Sequence, residues 1–334
     1  MVFPMRLEVL VPGCLALTQV LYGATAVVGR VGLRASNPLA FSIWRFLLAG
    51  ICLEVLLVWQ QGWRSALPSR SGTLFLCAVC TVGANVGMTL GIVLSGQVTA
   101  TAWQPLQLVF TTLISLTFGF EAASARKLLG LALGMAGAML IVFLDPGVWN
   151  ATSQKQHSGP QGWGHFALFV NTLSACLSIL MRRRLTRESG FSPLQVVAWT
   201  HVVAVPILVF FGLAGNQSVS FRVAACAGCD SVTAPPTSSL GWMALAFYTV
   251  VPTMICQSLN TWASAHAEPS MMAMFPVLQP VASASLSWML RLVMPSLRDT
   301  LLPPQLNMLG GLPVLLGLWF VSRDAANPKR DRRD

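Results

Sequence analysis

Residues 81–91 read TVGANVGMTLG and residues 253–263 read TMICQSLNTWA. Laid one over the other, they place a polar residue at every fourth position: Thr81, Asn85 and Thr89 against Thr253, Gln257 and Thr261. The same displacement of 172 residues carries Trp103 to Phe275 and Gln107 to Gln279 in the segments that follow. Spacing of four puts each stripe on one face of a helix. Polar groups are costly within apolar spans, so a stripe kept twice at one offset points to an internal duplication whose polar faces line a path for a solute.

Working outward, the surrounding sequence is lipid-like. It is 54% hydrophobic and only 10% charged, with a mean hydropathy of +0.66, which leaves too little polar surface to coat a soluble globule. Ten segments are long and apolar enough, or nearly so, to cross a bilayer: 9–29, 38–59, 73–94, 98–120, 127–144, 164–181, 194–213, 240–262, 270–290 and 305–322. Backbone in lipid must satisfy its own hydrogen bonds, and runs of this length do so as helices rather than barrel strands. The expected fold class is an all-α membrane protein.

Further matches extend the duplication. Pro38, Leu39 and Trp44 reappear as Pro193, Leu194 and Trp199, and Gly130 and Gly137 as Gly310 and Gly317. Residues 1–148 and 160–325 therefore read as two five-helix units, followed by a basic cytoplasmic tail at 326–334. Two successive units with an odd number of spans insert in opposite senses, giving ten transmembrane helices as inverted repeats with a shared site near the midplane.

Charge sets the expected orientation. With the N-terminus in the cytoplasm, inner segments carry Arg6, Arg64, Arg70, Arg126, Lys127, Arg182, Arg183, Arg184, Arg187 and the tail, against Arg30, Arg34, Lys155, Arg222, Arg291 and Arg298 outside. The positive-inside rule favours this arrangement, with both termini cytoplasmic. The formal charge of +10 is then an orientation signal, and no nucleic-acid site is read in it. Met1–Glu8 has no transit-peptide character, so the first helix is expected to act as the insertion signal, in a plasma membrane or endomembrane. The sequons at Asn150 and Asn216 both fall in outer loops, where glycosylation would be possible. Cys226 and Cys229 share the second loop as a candidate local disulfide, with two free thiols as the alternative. Cys77 and Cys80 lack a second ligand pair, and no metal or other cofactor is expected.

The third span combines packing with permeation. Gly83, Gly87 and Gly91 form a ladder opposite Thr81, Asn85 and Thr89, so a neighbouring backbone can approach the glycines while the polar face turns inward. Threonines in such positions also bond their own helix carbonyls, which is the competing reading for them. Trp103 and Phe275 each precede Gln107 and Gln279 by four residues, and aromatic walls with a few amides suit an organic solute with polar edges. Core packing is the alternative for both rings. Thr18, Gln19, Tyr22, Asn171, Ser174 and Ser178 add polar groups in the first and sixth helices. Glu54 is a carboxylate in the second span that either snorkels to the interface or couples transport to protons. Glu121, near Arg126 and Lys127, reads as part of a cytoplasmic latch.

The pieces Tyr22-Gly23, Arg45-Phe46, Glu121 and the Leu129-Gly130 to Gly137 pattern resemble the EamA-type branch of the drug/metabolite transporter superfamily, as does Leu278-Gln279-Pro280 in the second repeat. This chain has Tyr where that family usually has Trp before Gly23, and Gln279 in place of an acid. The resemblance implies a ten-helix transporter fold over nearly the whole chain, with Arg45 bracing the outer gate and His201 peripheral to the cavity.

The expected substrate follows from what the spans lack. Phosphorylated solutes call for deep basic residues, and no Lys lies deep in any of the ten segments, Lys127 standing only at the edge of one, so a small neutral, zwitterionic or weakly cationic metabolite is expected, such as an amino acid or drug-like amine. No P-loop or nucleophile–base set is present, so the reading is a carrier rather than an enzyme. A nucleotide-sugar or phosphorylated-sugar antiporter and a membrane-embedded enzyme stand as alternatives. Partners are the small-molecule substrate and the bilayer; the oligomeric state is left open, a homodimer among the options.

Overall fold

Apolar runs punctuated by glycine and proline give helices throughout the computed structural model, which describes residues 7–32, 38–68, 71–95, 97–120, 124–144, 161–216, 235–236, 238–294 and 309–325. No strand occurs among them. In chain order the helices are α1 (Leu7–Gly32), α2 (Pro38–Gln61), α3 (Trp63–Ala66), α4 (Gly72–Ser95), α5 (Gln97–Thr117), α6 (Ala125–Phe143), α7 (Gln161–Arg187) and α8 (Pro193–Asn216). Then come α9 (Ser239–Tyr248), a π-helical stretch (Thr249–Cys256), α10 (Gln257–His266), α11 (Pro269–Met274), a 3₁₀ turn (Phe275–Leu278), α12 (Gln279–Val293) and α13 (Gly311–Ala325). Among the described residues, five of the ten expected spans are long and apolar enough to cross a bilayer by themselves: Leu39–Gln61, Gly72–Gly91, Trp163–Arg187, Pro193–Ala214 and Ser239–His266. Shorter apolar helices lie at Val9–Thr25, Leu106–Thr117, Val281–Val293 and Gly311–Val321.

Glycine decides which helices touch. The 83–91 ladder is filled by α7: a Cβ on Gly87 would lie 2.6 Å from the Ala167 carbonyl oxygen and 2.8 Å from the Asn171 nitrogen. The glycines of α6 and α13 meet each other, Gly130 against the Gly317 carbonyl and Gly137 against that of Gly310. The earlier glycine of one helix thus faces the later glycine of the other, as an antiparallel pair requires. α2 packs on α8, α1 on α12, and α1 also on the rod from α9 to α10.

Contacts between helix ends sort the connections. Gln61 Nε2 donates to Ser192 Oγ at 3.0 Å, Trp199 Nε1 to the Ser65 carbonyl at 2.9 Å, and Lys127 Nζ meets Glu268 Oε2 at 2.5 Å. The turns after α2, after α7 and between α10 and α11, with the start of α6, therefore share one end of the bundle. At that end α5 stops on Gly119, whose φ of 69° admits the left-handed turn in which Phe120 N–H bonds the Ser115 carbonyl. Outward faces are apolar: Val55, Trp59, Phe210, Leu312 and Leu316 are all exposed. In water such a surface would be an aggregation patch; in a bilayer it meets lipid.

Candidate functional site

Two arginines occupy the interior, each held by one member of the repeated polar stripe. Arg45 Nη2 donates to Asn85 Oδ1 at 2.7 Å, joining α2 to α4. Arg182 Nη2 donates to Gln257 Oε1 at 3.2 Å, joining α7 to α10. At ~1.5 Å rise per residue, Arg45 stands ~24 Å along α2 from its Gln61 end, while Arg182 is only ~8 Å from the Arg187 end of α7. The two pairs therefore lie toward opposite ends of the bundle. Tyr22, Arg45, Asn85, Arg182 and Gln257 are all half-buried.

Around Tyr22 the helices are tied by single hydrogen bonds. Asn260 Nδ2 donates to Tyr22 Oη at 3.5 Å, and Thr18 Oγ1 lies 3.2 Å from Asn260 Oδ1 and 2.7 Å from the Leu15 carbonyl. Tyr22 Oη in turn reaches the Pro252 carbonyl at 3.5 Å, and Tyr248 donates to the Thr25 carbonyl at 2.6 Å. Pro252 has no N–H to give, and the helix widens to π geometry around it, where the Thr253 hydroxyl takes up the Tyr248 carbonyl at 2.8 Å. Gln19 is buried beside Thr18 with its Oε1 lacking an acceptor's partner.

The remaining expected site residues divide between this column and the packing. Thr81 and Thr89 bond the carbonyls of Cys77 and Asn85 in their own helix, at 2.8 and 2.9 Å. Asn171 Nδ2 donates to the Ala84 carbonyl at 2.6 Å, clasping the close α4–α7 contact. Trp103 Nε1 reaches His165 Nδ1 at 3.2 Å, and the Gln107 carbonyl accepts from Cys176 Sγ at 3.3 Å. Phe275 is buried in an apolar core with Leu108, Met274 and Val314, and Thr261 is fully buried. Gln279 opens α12, half-buried. Glu54 is half-buried on α2, with one carboxylate oxygen sealed and unpartnered. His201 is fully buried, its ring 4.8 Å from that of Phe46. Glu121, Asn150, Cys226 and Cys229 lie outside the described residues, and Asn216 is the last residue of α8.

Three features depart from the sequence reading. Arg182, expected in a cytoplasmic loop, belongs to α7 and turns to Gln257, because that helix runs on to Arg187. Lys127 is 2% exposed and paired with Glu268 across the two halves of the chain, a partner not read from the sequence, while Glu121 lies outside the described residues. Asn260 went unnoticed because its counterpart at the 172-residue offset is Met88. A helical wheel would have found it, three residues from Gln257 and on the same face. At the same end, Arg183 Nη1 and Arg187 Nε donate to the carbonyls of Ala267 and Ala265, satisfying the closing turn of α10 with positive charge.

An apolar exterior and a polar column buried between helices define an integral, multi-pass membrane protein. Residues 12–143 match the model of the EamA-like transporter family. An uncharacterized transporter of Archaeoglobus fulgidus is 32% identical over 131 residues, covering 38% of this chain and 44% of that protein. GDP-mannose transporter 1 of Saccharomyces cerevisiae is 24% identical over 152 residues, covering 46% of this chain and 40% of the relative. The chain thus matches less than half the length of these curated relatives. A solved crystal structure superposes with a TM-score of 0.71 at 14% identity, over 97% of this chain and 98% of its own, a likeness of fold alone.

Proposed function

We propose that this chain is a carrier that moves a small organic metabolite, neutral or zwitterionic and of amino-acid size, across a membrane by alternating access. The observation that carries this reading is the column Arg45–Asn85, Tyr22–Asn260 and Arg182–Gln257, a set of half-buried polar side chains that join helices of the bundle. Buried polar groups without a ligand task are costly in a membrane protein. Two inverted five-helix repeats rocking about the midplane would expose the column to each side in turn. The pairing of α6 with α13 and of α2 with α8, each helix touching its counterpart in the other repeat, supports that symmetry. Both termini then face the cytoplasm.

The name of the yeast relative suggests a nucleotide-sugar, but its diphosphate would need cations gathered at one place. Here the two central arginines stand toward opposite ends, each held by an amide. The test is uptake of labelled amino acids, amines and nucleotide-sugars into proteoliposomes holding the purified chain. Saturable uptake of a zwitterionic or neutral solute, unchanged chemically, is expected. Uptake confined to nucleotide-sugars would replace this reading, and chemical conversion without uptake would make the chain an enzyme.

A further inference from the structure

The column carries two half-buried cations, Arg45 and Arg182, and among the described side chains no anion beside them. Of the eleven acidic residues, those whose side chains are described are Glu54, Glu188 and Glu268, and two of them are taken: Glu188 pairs with Arg184 at 2.8 Å and Glu268 with Lys127. Glu54 has no hydrogen-bond partner for its sealed oxygen. Among the described residues, neither Arg45 nor Arg182 meets a carboxylate; each donates through one Nη2 to a neutral amide, and Arg45 Nε is buried without an acceptor. A guanidinium carries five donors in a planar fork and cannot give up its proton, so its burial is costly until an anion completes it. Leaving two such groups short of charge at the column's two ends is explicable if the missing anion arrives with the solute.

We propose that Arg45 and Arg182 are two stations for a carboxylate on the transported solute, one toward each end of the path, with Tyr22 between them. The proposal rests on the carrier reading and deepens it. A planar carboxylate matches one guanidinium fork through two parallel hydrogen bonds, so each station suffices alone for a single carboxylate. Asn85 and Gln257, equivalent in the two repeats, hold each fork in place by one nitrogen and leave the rest of its donors for the ligand. Tyr22, bonded to Asn260 and to the Pro252 carbonyl on either side of Gln257 in sequence, hands the group from one station to the other. Weak cations, admitted by the sequence reading, are repelled by this pair of charges.

The experiment uses the purified full-length chain and reads thermal stability against the standard amino acids, their primary amides and inorganic phosphate, beside uptake of the same compounds into proteoliposomes. At least one amino acid should stabilise the protein while its amide does not. Arg45→Gln and Arg182→Gln should each weaken that apparent affinity about tenfold or more; Arg184→Gln, whose charge sits on the surface with Glu188, should not. Should a glutamine variant fail to fold, Arg45→Lys and Arg182→Lys keep the charge but lose the fork, and are expected to fold and bind more weakly. Equal stabilisation by acids and amides, stabilisation by phosphate alone, stabilisation by none of the amino acids, or variants that bind like the parent would each overturn the stations. Uptake of amides or amines but not of carboxylates would keep the carrier and reject the stations. Stabilisation that follows the carboxylate without any uptake would keep the stations and reject the carrier.

Discussion

At the scale of single residues, the repeated stripe separates by chemistry. Threonine can return its hydroxyl to the carbonyl four residues back, and Thr81 and Thr89 do so. Asn85 and Gln257 instead accept from arginines on neighbouring helices. Thr89→Val is therefore expected to leave uptake near the parental level. Asn85→Ala and Gln257→Ala each strand a guanidinium, and loss of a buried hydrogen bond costs ~1–3 kcal/mol, up to about a hundredfold in affinity. Concentration-dependent uptake by the three variants reads both halves of this; normal uptake by both amide variants would make the stripe structural. Glu54→Gln addresses energy coupling. If its carboxylate carries protons, uptake by the variant should lose its response to an imposed pH gradient, and equal gradient dependence in parent and variant would remove Glu54 from the mechanism.

Between elements, glycine sets distance. α4 and α7 approach so closely at Gly87 that any Cβ meets the Ala167 carbonyl and the Asn171 backbone. Backbone yields less readily than a side-chain tip, so Gly87→Ala should destabilise by ~1–3 kcal/mol through overpacking and separate Asn171 from the Ala84 carbonyl it bonds. Gly13→Ala is the matched control, since nothing lies within 4 Å of its Cβ. A lowered unfolding temperature for the first variant alone is the expected result. A similar drop in both would assign the effect to something other than the helix contact. The glycine ladder was legible in the sequence as a packing face, but its partner was not. Small residues announce that something comes close, while the choice of neighbour depends on how the whole bundle closes.

Across the molecule, the end of the bundle bearing Arg64, Arg183, Arg184 and Arg187 is locked between halves. Lys127, nearly fully buried, pairs with Glu268, which is 39% exposed. Removing one partner strands a buried ammonium or frees a carboxylate; with one side open to solvent, about 1–2 kcal/mol is at stake rather than the larger cost of a sealed pair. Glu268→Gln should loosen this end and raise the labelling of a cysteine placed in the column from that side. Lys127→Met with Glu268→Gln should recover stability relative to Glu268→Gln alone. Labelling unchanged by Glu268→Gln would show that the pair does not hold the bundle closed. A cysteine at Arg184 in otherwise cysteine-free protein reads the orientation itself: labelling from the cytoplasmic side is expected, and labelling only from outside would invert the topology.

The sequence by itself determined the solvent, the helical class and the presence of duplicated polar faces, because each of these is a periodicity or a sum over local residues: hydropathy over ~20 positions, polarity every fourth residue, glycine every fourth residue on the opposite side. It also marked Asn85 and Gln257. What only the tertiary structure decided was partnership. That Arg182 turns into the column, that Lys127 pairs with Glu268, and that Asn260 joins Tyr22 to Thr18 are contacts spanning 75, 141 and more than two hundred residues. A charged residue near a helix end can snorkel outward or bend inward with the same local sequence. Which it does is set by the acceptor that another helix presents, and that acceptor is placed by close packing of the whole bundle.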